Sequence, residues 1–161
     1  MGLKTIGLVA AALIATPATA ERPGPSTVQS ISYETGPCFG RCPVYRVTVR
    51  SDGRGTFEGR RFTAVDGLRS FHLTRAQFLA FAGHLGSYRP RGVEAIGYGH
   101  PRCRRPATDH PSATVSWSGG GREDRLSFYY GCRDPGNAAM AQALERAPEL
   151  LPIGDLIGAR H

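Results

Sequence analysis

Cys38 and Cys42 are the residues best placed to do chemistry in this 161-residue chain, in the run G-P-C-F-G-R-C-P-V-Y from Gly36 to Tyr45. Bridged cysteines hold their Cα atoms roughly 4.4–6.8 Å apart, whereas four extended residues span about 13 Å. A Cys38–Cys42 bond therefore requires a tight turn, which Gly36, Pro37, Gly40 and Pro43 favour. Two other uses of the pair stay open. A redox dithiol normally stands as C-x-x-C at a helix N-terminus, where the dipole lowers a thiol pKa. Here the spacing is one residue longer, and a strand pattern follows. The alternative is a thiol-based copper or redox protein, since C-x-x-x-C-P resembles the site of thioredoxin-fold copper-delivery proteins. Soft thiolates suit Cu(I), and His72, His84, His100 and His110 could supply a third ligand. That fold needs parallel βαβ units, which this pattern lacks, and no metal or cofactor is assigned.

The remaining cysteines are Cys103 and Cys132. An even count in an exported chain reads as disulfides, and Cys38–Cys42 with Cys103–Cys132 is the favoured pairing. Arg102, Arg104 and Arg105, beside His100 and near Arg89 and Arg91, are the candidate anion-binding residues. Their planar forks fit phosphate or carboxylate, as on an anionic envelope component; another periplasmic protein is the other class of partner. Asp109, His110 and Ser112 are adjacent but lack the spatial spread of a triad. G-x-S-x-G, H-E-x-x-H and phosphate-loop patterns are absent. No catalytic residue is assigned, and the expectation is a non-enzymatic binding or interaction module.

Export is the expectation raised by the first residues. Lys4, the apolar run Ile6 to Ile14 and Ala18-Thr19-Ala20 form a secretory signal over 1–20. Its core is far shorter than the about 20 residues that cross a bilayer, so no transmembrane segment is expected after cleavage. Residues 21–30 read as a flexible lead-in, and 31–158 as one domain, periplasmic or secreted. The net charge of +7 comes almost wholly from arginine, because Lys4 is the only lysine. Those arginines are scattered, and nucleic acid is not expected as a partner.

The elements that must position these groups can be read in turn. Ile31 to Glu34 suggests a leading strand. Val44 to Arg50 alternates with Tyr45, Val47 and Val49 on one side, then turns at Ser51-Asp52-Gly53 into Gly55 to Phe62. A two-residue loop would mix the faces; a three-residue bulged loop pairs Val47 with Phe57 and Arg46 with Glu58. Thr74 and Gln77 form a capping box for a helix presenting Phe78, Phe81 or Ala82, and Leu85, and stopping at Gly86, with His84 at its C-terminal turn. The Gly-, Pro- and Arg-rich segment Ser87 to Pro111 holds a short edge strand, Val93 to Tyr98. Ala113 to Ser118 and Arg125 to Tyr130 make a second hairpin, with Ala113, Val115 and Trp117 opposite Tyr130, Phe128 and Leu126 across a Gly121-Arg122 turn. Asp134 and Pro135 open a second helix, closed by Pro148, whose core side is Met140, Leu144 and Ala147. The expected fold is α+β: an antiparallel sheet of two β-hairpins plus a leading strand, with two helices packed on one face.

The string C-F-G-R-C-P-V-Y, with Asp52, Gly53 and Gly59 behind it, resembles a bacterial envelope domain family of unknown function, often lipoproteins, with a C-F-G-x-C-P-x-Y motif. Thr108-Asp109-His110-Pro111 and Tyr129-Tyr130-Gly131 fall where that family carries a T-D-x-P element and a Tyr-Gly. The likeness runs from about Ile31 to Gly158. It departs in lacking a lipid-attachment cysteine, and Cys103 and Cys132 stand outside the motif. The resemblance implies an envelope location and supplies no reaction or cofactor.

Overall fold

The structure, a computed structural model, describes residues 1–2 and 28–158. The signal expected over 1–20 and the lead-in expected over 21–30 lie outside the described residues, except for the terminal pair and 28–30. A seven-stranded sheet is made of β1 (Ser30–Thr35), β2 (Val44–Arg50), β3 (Arg54–Arg61), β4 (Gly67–His72), β5 (Val93–Ile96), β6 (Ser112–Gly119) and β7 (Arg122–Tyr129). Three helices accompany it: α1 (Arg75–Gly86), α2 (Ala138–Arg146) and α3 (Gly154–Ile157).

Strand order is β4-β3-β2-β1-β6-β7-β5. The leading strand is thus the middle one, paired antiparallel with both β2 and β6. Alternation builds the two faces. Ile31, Tyr33, Val47, Val49, Phe57, Val115, Trp117, Leu126 and Phe128 are buried together with Phe78, Phe81 and Leu85 of α1 and Met140 and Leu144 of α2. The reverse face is polar, with Glu34 accepting from Arg46 Nη2 at 2.5 Å and Arg60 Nη1 at 2.6 Å. A sheet with one wetted face reads as clean alternation, which is why the paired strands could be found from sequence.

The bulged β2–β3 hairpin has the expected register, Val47 opposite Phe57 and Arg46 opposite Glu58. Helix α1 also starts as expected. Thr74 Oγ1 accepts from Gln77 N at 3.2 Å, while Gln77 Oε1 accepts from Thr74 N at 2.8 Å.

Four expectations need correction. The sheet is mixed and larger than two hairpins with a leader: β4 adds an antiparallel edge and β5 pairs parallel with β7. The second hairpin is displaced by two residues, with Ala113 opposite Phe128 and Trp117 opposite Asp124. Its loop is Gly120-Gly121, and both lie at positive φ (62° and 75°), the pattern of a type I′ turn, whose twist suits a hairpin. Asp134 and Pro135 do open a helical segment, but it is a 3-10 turn, Pro135–Asn137, ahead of α2, and the Asp134 carboxylate makes no cap bond because it is bound to Arg104 N and Nε. Finally α2 ends at Arg146, and Pro148 lies inside a 3-10 turn, Ala147–Leu150, instead of closing the helix.

Candidate functional site

The cysteine pair sets the geometry at one end of the sheet. Cys38 and Cys42 are disulfide-bonded with Cα atoms 5.8 Å apart, and Cys103 is bonded to Cys132 at 4.8 Å. The first bond closes the β1–β2 connection. Thr35 secures the base of that loop: its hydroxyl donates to Pro43 O at 2.8 Å and accepts from Tyr45 N at 3.1 Å. At the tip, Phe39 N donates to Asp109 O at 3.2 Å. The loop is thereby held in three places, and Phe39 is left projecting, 88% exposed.

Two concavities meet beneath it, sharing Cys42, Pro43 and Ile157. The inner one, ≈ 370 Å³, is walled by Tyr33, Tyr45, Tyr130 and Pro111, with His110 and Glu145 at its polar side. Tyr33 OH donates to Leu144 O at 2.9 Å, fixing that wall to α2. Burial pushes the Tyr130 hydroxyl up to about 12, only partly offset by Tyr33, so it stays protonated at any physiological pH. The outer concavity, ≈ 590 Å³, lies between the Cys38–Cys42 loop and Phe62-Thr63-Ala64. Ala64 N and Val65 N donate to Ile157 O and Leu156 O at 3.0 and 3.2 Å, which seats α3 as its floor.

Nothing local in the sequence marks Phe62. Its backbone is left-handed, φ 56°, a region that bulky residues rarely adopt, and its ring is 42% exposed. The Arg41 and Arg61 guanidinium carbons lie 5.5 and 5.2 Å from the ring centroid, within cation–π range. Arg41 fills the variable position of the C-F-G-x-C motif, and nothing local in the sequence brings it to residues 61 and 62.

The arginines read as an anion cluster do not converge as a group. Arg102 is turned to Asn137 Oδ1 (3.2 Å) and Glu94 Oε1 (3.4 Å). Arg104 Nε is bound to Asp134 Oδ1 at 2.7 Å, and that bond holds the Asp134 carboxyl below the usual carboxylate range. Arg105 shares a ≈ 300 Å³ depression with Arg104 and Arg133. The disulfide and Asn137 tie this loop down: Asn137 Nδ2 donates to Arg102 O at 2.7 Å and Cys132 O at 3.1 Å. Asn137, buried, is a structural residue that no motif in the sequence marks.

The histidines offered as copper ligands are dispersed too. His84 Nε2 lies 2.8 Å from Ala143 O, joining α1 to α2 instead of capping its own helix. His100 Nδ1 accepts from Arg102 N, and His72 sits on the β4 edge. His110 does share the inner concavity with Cys42, but its Nε2 faces Arg133 Nη2 at 2.9 Å. Thiolate chemistry would need free sulfurs, and all four are bonded. No helix of the described residues is long and apolar enough to cross a membrane.

A search of curated proteins finds no match to this chain. A family model described as Domain of unknown function (DUF6438) matches residues 29–151, from just before β1 to just before α3. The chain belongs to that family.

Proposed function

We propose that this domain is a non-enzymatic binding module acting outside the cytoplasm, with its binding face at the Cys38–Cys42 end of the sheet. One observation carries this reading: a loop fixed by a disulfide, a threonine clamp and a backbone hydrogen bond holds an almost fully exposed Phe39 over two adjoining aromatic-lined concavities. Binding sites are concave, largely apolar and preformed, with a few polar groups for orientation, and Glu145, His110 and the hydroxyls of Thr35 and Tyr130 are such groups. Location outside the cytoplasm is supported by the signal pattern of residues 1–20 and by two disulfides, which persist in oxidising compartments.

The test is to titrate the 15N-labelled full chain with envelope extract of its host while following backbone amides. Shifts are expected at Phe39–Cys42, Phe62–Ala64 and Ile157–Gly158; shifts confined to other regions would refute the site. A thiol count on protein from its native compartment is expected to read zero. Two reactive thiols at Cys38 and Cys42 would restore the copper or redox alternative.

A further inference from the structure

We propose that the tip formed by the Cys38–Cys42 loop and the Arg61-Phe62 turn docks the domain onto an anionic lipid surface. The proposal rests on reading this end of the sheet as the binding face, and it names the partner.

Two aromatic rings, Phe39 and Phe62, stand in water on either side of the outer concavity. Both are carried on constrained backbone. Phe39 is carried on a five-residue ring closed by the disulfide and pinned through its own N–H. Phe62 is held outward by a left-handed backbone, a conformation that persists in a bulky residue only when its surroundings impose it.

The charge against Phe62 is of one sign, whereas exposed Asp109 stands beside the Phe39 loop, its carbonyl taking the Phe39 N–H. Arg41 and Arg61 both lie against Phe62, and no carboxylate pairs with either among the described residues. Arg46 and Arg60 are matched by Glu34, Arg50 and Arg54 by Asp52, Arg89 and Arg122 by Asp124, and Arg104 by Asp134; other arginines are unmatched too, but Arg41 and Arg61 are the pair set against an exposed ring. The outer concavity is therefore rimmed by two exposed rings and two guanidiniums, with no acidic side chain in its lining.

Area favours lipid over a protein partner. A specific protein interface takes about 800 Å² of continuous surface per side, whereas the exposed features at the tip are two rings and two flanking arginines. A bilayer surface asks for less: rings that enter the headgroup–acyl boundary and guanidiniums that stay with lipid phosphates. Attraction of basic groups to anionic leaflets adds to this and weakens with salt.

The experiment is co-sedimentation of the full chain with phosphatidylglycerol–phosphatidylcholine vesicles and with phosphatidylcholine alone, at low and high salt. Comparing variants in the same full chain holds any contribution of the apolar run Ile6 to Ile14 constant. The wild-type chain is expected to bind the anionic vesicles and to lose binding in high salt. F39A should weaken partitioning about tenfold or more, the loss of one buried aromatic, and R41E/R61E should reduce it to the level on neutral vesicles. F39W reports insertion directly: its emission should shift to the blue and be quenched by brominated lipid, over the constant signal of buried Trp117. The proposal is overturned by no wild-type binding, by equal binding to both vesicle types, by unchanged binding of F39A and R41E/R61E, or by an unquenched F39W. If the amide map still localises an extract component to this face while vesicles fail, the binding-module reading stands and the lipid assignment falls.

Discussion

Arg89 Nε lies 2.6 Å from Asp124 Oδ2, joining the segment after α1 to the core-facing side of β7. Asp124 is a buried carboxylate directly across the ladder from Trp117, and it also accepts from Gly92 N at 2.7 Å and Arg122 Nε at 2.9 Å. Substituting Asn would leave the largely buried Arg89 guanidinium without its counter-charge, and breaking a buried pair is costly. For D124N, thermal unfolding followed by circular dichroism should show a midpoint lower by roughly 5–10 °C. A change under 2 °C would mean that β7 does not depend on this carboxylate.

The same residue sets an acid limit. The Gly92 N–H, then Arg89 and Arg122, hold its carboxyl at about 2 against the opposing pull of burial, from an ordinary value of 3.8. A lowered folded-state pKa means the stabilisation is complete above the unfolded value and is lost as pH falls through the folded one. Urea unfolding of wild type and D124N should therefore differ most above about pH 4 and converge towards pH 2. A gap that stays constant with pH would show that charge at this site is not what stabilises the fold.

The two disulfides should contribute unequally. Cys103–Cys132 closes a separation of 29 residues and Cys38–Cys42 one of 4; chain entropy gives about 3.5 kcal/mol for the first and about 2 kcal/mol for the second. Denaturant unfolding of C103A/C132A and C38A/C42A should rank them in that order. The reverse order would place the energetic weight on the tip loop.

Gly59 is set by close approach. A Cβ there would run into the Val65 carbonyl and the Thr63 hydroxyl, so G59A must push the 63–65 segment off β3. Overpacking of this kind costs about 1–3 kcal/mol. Ala64 sits in that segment and lines the outer concavity, so amide shifts should appear at Ala64 and Ile157 along with the loss of stability. Wild-type stability in G59A would contradict the packing described here.

Strong local signals were legible in the residues. The capping box at Thr74 and Gln77, and the Val47–Phe57 register, depend on neighbours in sequence and on one face being buried. β4 escaped notice because it is an edge strand, exposed along most of its length, and shows no alternation. Three glycines in a row, Gly119 to Gly121, allow several turns; choosing among them required knowing that Asp124 faces inward with partners from residues 89 and 92. The parallel pairing of β5 with β7 leaves no local trace. At the candidate site the covalent loop could be found by spacing, whereas the Arg41–Phe62–Arg61 cluster could not, since it joins the end of β3 to a loop twenty residues earlier.

The place of β1 between β2 and β6 has a consequence for how the protein comes into being. Its β2 edge can close within a few residues, but its other edge waits for Ala113 to Ser118. In a chain delivered from its N-terminus, the first strand stands half-paired while some eighty residues arrive. Contacts so distant in sequence are slow to form, and an open β1 edge is a template for pairing with other chains. The polypeptide is most vulnerable to self-association in that interval, before its second hairpin has closed over the gap.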